Sequence, residues 1–462
     1  MNSIPLQYES LKAVLIHMDA NVRFQISRRL PAIRSTEKLV PLRIRKLKLD
    51  GISTVVDNTS YNLGIYRDYE PGEKIPRKIK MTNDFTGIWH DLDKYGFQIY
   101  FDSVLDSGDI SFQHPNDPPF DAFLNDDDMS EKIYSEELKV NEKAMYLRTG
   151  QLPTGKALEE PDTSGEWGRI NKIRLKLAME TPMDILEDFA DDARSNLVPF
   201  VCRRFDRKPP YTCYIQLTII RNRKTKLIER YAYNMKLYEA MKRLNTLFFG
   251  GRRPAIQAQS VQLARFGAVL RLPVGFRVKT KQLENGYDLN DWSDGVNLML
   301  DPSCFPLNVL KLSICNRGRD DFELPIVRDA KKLIVNNSDS QFDILPILTT
   351  LSNKEVVLAD TYREVPIQSY FGLIENWLDS DKPVGTCYSF GIKQEDTAKG
   401  LLKVIKSRLE NAKRTKRCIS VITGNNTKLE VFYVPIKNPR SREQKDFMYD
   451  CKWVLKIRIV RL

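Results

Sequence analysis

After Asp301 the chain alternates short strand-like runs with helix-like runs, and no other feature limits its folding so tightly. Strand starts fall near Val309, Leu333, Val356, Cys387 and Cys418, in steps of 24, 23, 31 and 31 residues. Periodic runs of helical length lie between them, at Ile344–Leu351, Gln368–Leu378 and Asp396–Ala412. A helix between two strands points to parallel pairing, because parallel neighbours need a crossover of a dozen or more residues. Units of this size bury their apolar faces only by stacking on one another. The expectation is a parallel or mixed sheet with helices on one side. Two further strand-like runs, Leu429–Pro435 and Lys452–Leu462, should close its far edge.

Earlier in the chain, Ile44–Leu49, Ile170–Leu177, Tyr211–Ile220 and Val269–Val278 also read as strands. Alternation of Tyr214, Gln216 and Thr218 with Ile215, Leu217 and Ile219 suits a sheet buried on one face. A helix is expected from about Arg230 to Phe248, stopped by Gly250 and Gly251. The fold class is therefore α/β, in a mixed arrangement of three units. These are a short helical module at 1–46, a central mixed α/β region at 47–300, and a C-terminal α/β region of repeated helix–strand units at 301–462. The step lengths of the last region resemble leucine-rich-like solenoid units, although no strict leucine-rich motif is present.

At 462 residues the chain is too long for one small core, and 42% hydrophobic residues suffice to bury a large one. No stretch approaches the roughly 20 apolar residues needed to span a bilayer, so no membrane contact is expected. A soluble protein of the cytoplasm, the nucleus or both follows. Seven cysteines lack any C-x-x-C pair, which argues for reduced thiols rather than a disulfide framework or a zinc knuckle. His17, His90 and His114 lack ligand spacing, so no metal, cofactor or catalytic residue is assigned, and the chain is read as a non-enzyme. Gly150 to Ala157 approaches a phosphate-binding G-x-x-x-x-G-K-[ST] loop, but Ala157 lacks the magnesium-binding hydroxyl and no buried strand precedes it.

Charge is unevenly spread. Residues 101–142 hold twelve acidic side chains against Lys132 and Lys139, and an exposed acidic insertion is expected over about 101–168. From Cys202 to Lys279 there are eighteen basic residues against Asp206, Glu229 and Glu239. Within this stretch Arg221, Arg223, Lys224, Arg252 and Arg253 are candidates for nucleic acid or an acidic partner, with a solvated basic face as the plainer alternative.

The first 46 residues pattern as three short helices. Leu11, Val14, Leu15 and Met18 share one helical stripe; Asp19 and Asn21 can cap a second helix bearing Val22, Ile26 and Leu30; Pro31 restarts a third. Helices this short need something to pack against, either the rest of the protein or a partner. These residues, from Ile4, Pro5 and Leu6 through Leu11, Leu15, Arg23 and Ser27, resemble a divergent nematode F-box, with Leu30 and Pro31 where a Trp-Arg pair would be usual. Further along, Tyr238, Glu239, Ala240, Leu244, Gly250 to Arg252, Leu272 and Pro273 look like the nematode-expanded domain of unknown function of F-box C proteins. Leu351 to Asn353 and Ile374 to Leu378 are similar to the F-box-associated regions of such receptors.

The resemblance implies a non-catalytic substrate receptor of a Skp1–cullin–F-box-type ubiquitin ligase. Pro5, Leu6, Leu11, Leu15, Val22 and Ile26 would meet a Skp1-like adaptor in a cullin complex, and the later α/β region would hold an unknown protein substrate. The alternative is a nucleic-acid-binding or scaffold protein that uses the basic 202–279 region and binds no adaptor. An ordinary helical cap on a larger domain is the plain alternative for the N-terminal helices themselves.

Overall fold

Caps and prolines divide the N-terminal residues as their spacing predicts. α1 (Tyr8–His17) and α2 (Ala20–Arg29) meet at Asp19, whose carboxylate accepts the Asn21 N–H and caps α2. A 3-10 turn at Pro31–Ile33 then leads into α3 (Arg34–Leu39), proline fitting the first position because it has no N–H to leave unpaired. The computed structural model describes residues 7–99, 104–112, 127–151, 157–263, 269–285, 293–314, 320–337, 345–361, 365–380, 382–424, 426–436 and 451–462.

β1 (Arg43–Leu49), β2 (Ser53–Val56) and β3 (Thr59–Tyr69) follow as an antiparallel meander. Next come α4 (Arg77–Phe85) and three two-residue strands, β4 (Asp91–Leu92), β5 (Gln98–Ile99) and β6 (Ile110–Ser111). α5 (Asp127–Thr149), α6 (Gly165–Glu180) and α7 (Met183–Arg204) pack around a small core of their own, which includes Val140, Ala144, Ala178 and Leu186. β7 (Tyr211–Arg221) then returns to pair with β3, and β8 (Thr225–Ala232) folds back on it as a hairpin.

From α8 (Leu237–Phe249) onward the repeating pattern takes over. The elements are β9 (Ile256–Leu263), β10 (Val269–Leu270), β11 (Val278–Asn285), α9 (Ser293–Met299), β12 (Val309–Ile314), α10 (Pro325–Arg328) and β13 (Lys332–Asn337). They continue with α11 (Leu345–Thr350), β14 (Glu355–Thr361), α12 (Ile367–Asp379), β15 (Cys387–Ile392) and α13 (Glu395–Arg408). β16 (Lys413–Arg414), β17 (Cys418–Thr423), β18 (Thr427–Pro435) and β19 (Trp453–Arg461) complete the chain.

Fifteen of these strands form one mixed sheet, in the order β16-β17-β18-β19-β15-β14-β13-β12-β11-β9-β1-β2-β3-β7-β8. The seven from β15 to β1 are parallel, and both flanks are antiparallel. One register line crosses all seven: Leu47, Val261, Leu283, Leu310, Leu333, Val356 and Tyr388. Each is 0% exposed, so this line is the spine of the core. Burying a side chain of this kind contributes roughly 1.5–3 kcal/mol. Leu348, Phe371, Ile374, Trp377, Leu401 and Ile405 of α11, α12 and α13 join the same core on that face. On the opposite face Ile334, Val357 and Ala359 form only a small cluster with Val309.

The expected steps near Val309, Leu333, Val356 and Cys387 are therefore the parallel strands β12 to β15. The step at Cys418 differs. β17 forms a tight antiparallel hairpin with β18, and β19 takes the place beside β15. Ile170–Leu177 is helical, not a strand: Asn171, Leu175 and Ala178 share a stripe facing the α5–α7 core, and the intervening Lys and Arg are good helix formers. The helix expected from Arg230 starts only at Leu237, because residues up to Ala232 pair with β7. Val269–Val278 is two strands, split where Pro273 lacks a donor and Gly275 takes φ +73°.

The acidic insertion expected over 101–168 contains α5 rather than loop alone; its residues 101–103, 113–126 and 152–156 lie outside the described residues. Its acids do structural work: Glu136 is buried and accepts from Asn171 and from the Asp162 N–H, both at 2.7 Å. β1 straddles residue 46, and the β11–β12 pairing carries the sheet across residue 300.

Burial changes sharply along this one strand, since Leu283 is 0% exposed and Lys281 is exposed, and that makes a testable contrast. Leu283→Ala should cost about 2–5 kcal/mol of unfolding free energy in urea titrations, and Lys281→Ala, two residues away on β11, should stay within about 0.5 kcal/mol. Equal costs at the two positions would contradict the burial of Leu283 and the exposure of Lys281.

Candidate functional site

The N-terminal helices are held to the sheet by a buried charge cluster. Glu37 on α3 lies between Arg23 of α2 and Arg252 beyond α8, and the three side chains are at most 3% exposed. Arg23 donates its Nε to Glu37 Oε1 at 2.9 Å and its Nη atoms to the carbonyls of Glu37, Val40 and Pro41. Arg252 donates to both Glu37 carboxylate oxygens, at 2.7 and 2.9 Å. Burial pulls both guanidinium groups below their ordinary pKa, and Glu37 offsets it. Nearby, Lys38 donates to the Leu247 and Phe248 carbonyls, and burial followed by repulsion from Arg252 pulls its pKa down to about 8. Phe24 stacks on Phe248 at 4.3 Å, and Asn21 bridges the Val56 carbonyl and the Tyr61 hydroxyl.

This anchoring sorts the expected adaptor residues. Pro5 and Leu6 lie outside the described residues. Leu15 is 1% exposed and sealed inside, whereas Leu11, Val22 and Ile26 are half-buried. On α2, Ala20, Arg23, Phe24 and Ser27 take the buried side, and Val22 and Ile26 take the other, continued by Leu30 at 56% exposure. Val14 and Tyr8 of α1 are exposed as well.

The expected basic residues do not form one patch. Arg221, Arg223 and Lys224 sit exposed at the tip of the β7–β8 hairpin, where Asn222 and Arg223 both take positive φ. Arg253 is exposed, but its neighbour Arg252 is consumed by Glu37. Gly150 closes α5 at φ +72°, so a helix and not a strand precedes the near-match to a phosphate loop, whose residues 152–156 are outside the described ones. The six described cysteines are free thiols, and no group of metal-ligating side chains occurs among the described residues.

A cleft of about 1150 Å³ lies across the N-terminal halves of β1, β9, β11, β12 and β13. Six basic side chains line it, namely Arg43, Arg45, Lys279, Lys281, Lys311 and Lys332, and no carboxylate does among the described residues. Register puts Arg43, Gln257 and Lys279 on one line across three strands; the same offset aligns Arg45, Gln259 and Lys281. All six of these residues are exposed. Arg43 and Lys281 have no ion-pair partner among the described residues, while Lys279 is 3.7 Å from Asp301 and Arg45 is 4.0 Å from Asp57. Val309 and Ile334 supply apolar floor. At the rim, the Cys304 sulfur accepts the Thr280 N–H at 3.2 Å. Sequence reasoning missed this cleft because its cations come from segments some two hundred residues apart. The available signal was the paired i, i+2 charges of Arg43/Arg45 and Lys279/Lys281, which share a face of a strand.

A protein-family model described as "Domain of unknown function (DUF3557)" matches residues 236–394. The matched segment runs from the residue before α8 to the residue before α13, and it contains every strand of the parallel run except β1. No curated protein matches the chain, and no solved structure does.

The depressed Lys38 pKa gives a pH signature. Between about pH 8 and the ordinary lysine value of 10.5, the unfolded chain binds a proton at Lys38 that the folded chain does not, so this residue makes stability rise with pH across that window. Lys38→Met should flatten the rise in a series of urea unfolding curves between pH 7.5 and 10. An unchanged slope would mean that Lys38 is not held in this environment.

Proposed function

We propose that this chain is a non-catalytic receptor subunit of a Skp1–cullin–F-box-type ubiquitin ligase, similar to nematode F-box C proteins. Its N-terminal helices dock on a Skp1-type adaptor, and the solenoid-like sheet holds a protein substrate. The observation that carries this reading is the outward stripe of α2. A helix that has already given Ala20 and Phe24 to the core keeps Val22, Ile26 and Leu30 at least partly in water. An apolar stripe on the solvent side of an anchored helix is what a partner groove covers. Such a receptor needs no acid, base or nucleophile, because tethering raises the effective concentration of substrate beside the transferring enzyme.

The alternative of nucleic-acid binding without an adaptor keeps one observation in its favour, the exposed cations Arg221, Arg223 and Lys224 at the hairpin tip. Capture of a purified Skp1-type adaptor separates the two. Val22→Asp combined with Ile26→Asp should weaken capture at least about 100-fold, since each side chain buried at the contact is worth roughly 1.5–3 kcal/mol. Glutamates in place of Arg221, Arg223 and Lys224 should leave it unchanged. Adaptor capture unaffected by the α2 substitutions would sink the docking assignment, and retention of RNA or DNA lost on the hairpin substitutions would favour the alternative.

A further inference from the structure

We infer that the cleft over β1, β9, β11, β12 and β13 binds an extended acidic segment of a protein partner, laid across the strands. It deepens the receptor reading by naming the class of substrate, and it rests on that reading only for what the binding accomplishes.

Charge decides the sign of the occupant. Six basic side chains line the cleft without a carboxylate among the described residues, and Arg43 and Lys281 have no ion partner there. Acids stand beside the described lining rather than in it: Asp301 is 3.7 Å from Lys279, Asp57 is 4.0 Å from Arg45, and Glu284 is the register partner of Lys311. Glu284 accepts from Gln262 at 2.9 Å, and Glu355 is the register partner of Lys332. Like charges gathered over a low-dielectric sheet repel one another, and an anionic ligand relieves that repulsion.

Spacing decides the shape. Five adjacent strands about 4.8 Å apart span roughly 19 Å, the length of about six extended residues. Cations alternate with glutamines along each line, Arg43–Gln257–Lys279 and Arg45–Gln259–Lys281, so the charges on one line recur about every 10 Å. In a peptide extended as a polyproline II helix, with three residues per turn and about 3.1 Å per residue, that is close to the distance between acidic residues three apart on one side. The glutamine amides between them can donate to and accept from a peptide backbone. Val309 and Ile334 offer an apolar floor for an intervening side chain.

Among the described residues the lining contains no aromatic side chain on which bases could stack. Single-stranded nucleic acid gains much of its affinity from such stacking. An acidic peptide is therefore the better fit.

The test uses the full chain and three fluorescein-labelled probes at low salt: a ten-residue peptide with Asp at every third position, the same peptide with Asn in those places, and a twelve-nucleotide single-stranded RNA. The acidic peptide should bind, and its affinity should fall as salt rises. The Asn peptide should bind at least tenfold more weakly. Arg43→Glu with Lys281→Glu should reduce acidic-peptide binding at least tenfold, with a thermal melt confirming an intact fold, whereas Arg221→Glu with Arg223→Glu should not. Failure of the acidic peptide to bind, equal binding by the cleft variant, or preference for the RNA would each overturn the inference. Adaptor capture by the same cleft variant distinguishes the two proposals. Capture retained with peptide binding lost supports the cleft as a separate substrate site. Peptide binding to the wild-type chain in the absence of any adaptor capture also supports the cleft, and overturns the receptor reading alone.

Discussion

Each crossover between β9 and β15 brings the chain back to the same side of the sheet. Parallel neighbours need a connection that leaves the sheet and returns, and such connections are almost always right-handed. When successive strands are added in one direction, as β11 to β15 are, right-handed connections all fall on one face. Buried leucines and aromatics fill that face, from Leu283 to Tyr388 along a single register line. Among the described residues the other face receives no layer of helices, and the side chains pointing there decide what it can meet. At the start of the first strands of the run, where burial departs from strict alternation, the exposed residues lining the cleft are arginine, lysine and glutamine.

A second constraint ties the N-terminal helices to this sheet. Glu37 answers two buried arginines, one from α2 and one from the chain beyond α8, and together they use their donors on backbone carbonyls of the same region. Removing one partner from a buried ion cluster leaves an uncompensated charge, so such clusters fix geometry more than they add net stability. The consequence is that α2 is oriented by Arg23 and Phe24, and its opposite stripe has to face away from the body. β1 extends the coupling, because it pairs in parallel with β9 and so joins the N-terminal segment to the segment matched by the domain of unknown function.

Much of this architecture was legible in the sequence, where local rules suffice. Asp19 and Pro31 mark helix starts by capping chemistry that needs no tertiary information. The starts of β12 to β15 showed as short apolar runs at regular steps. Local reading misled where apolar residues served two periods at once, as in Ile170–Leu177, whose alternation fits a strand although its tertiary contacts select a helix stripe. It misled again at Arg230, where pairing with β7 overrode a helical pattern. The binding surface was the least legible part. The basic stretch from 202 to 279 is divided by folding among a hairpin tip, a buried cluster and a cleft, with Arg223, Arg252 and Lys279 as one example of each. A count of charges along the chain cannot anticipate that division, since each destination is fixed by partners far away in sequence.

The account depends above all on the helix-free face being open to solvent at the cleft. Timed acylation of lysines in the native protein, read by mass spectrometry, tests this directly. Lys281, exposed and without an ion partner among the described residues, should react as fast as lysines of the unfolded chain. Lys242, whose Nζ is held by Asp109 and the Ser107 carbonyl, should react far more slowly. A Lys281 as protected as Lys242 would mean that this face is covered in the free protein, and the account would fail.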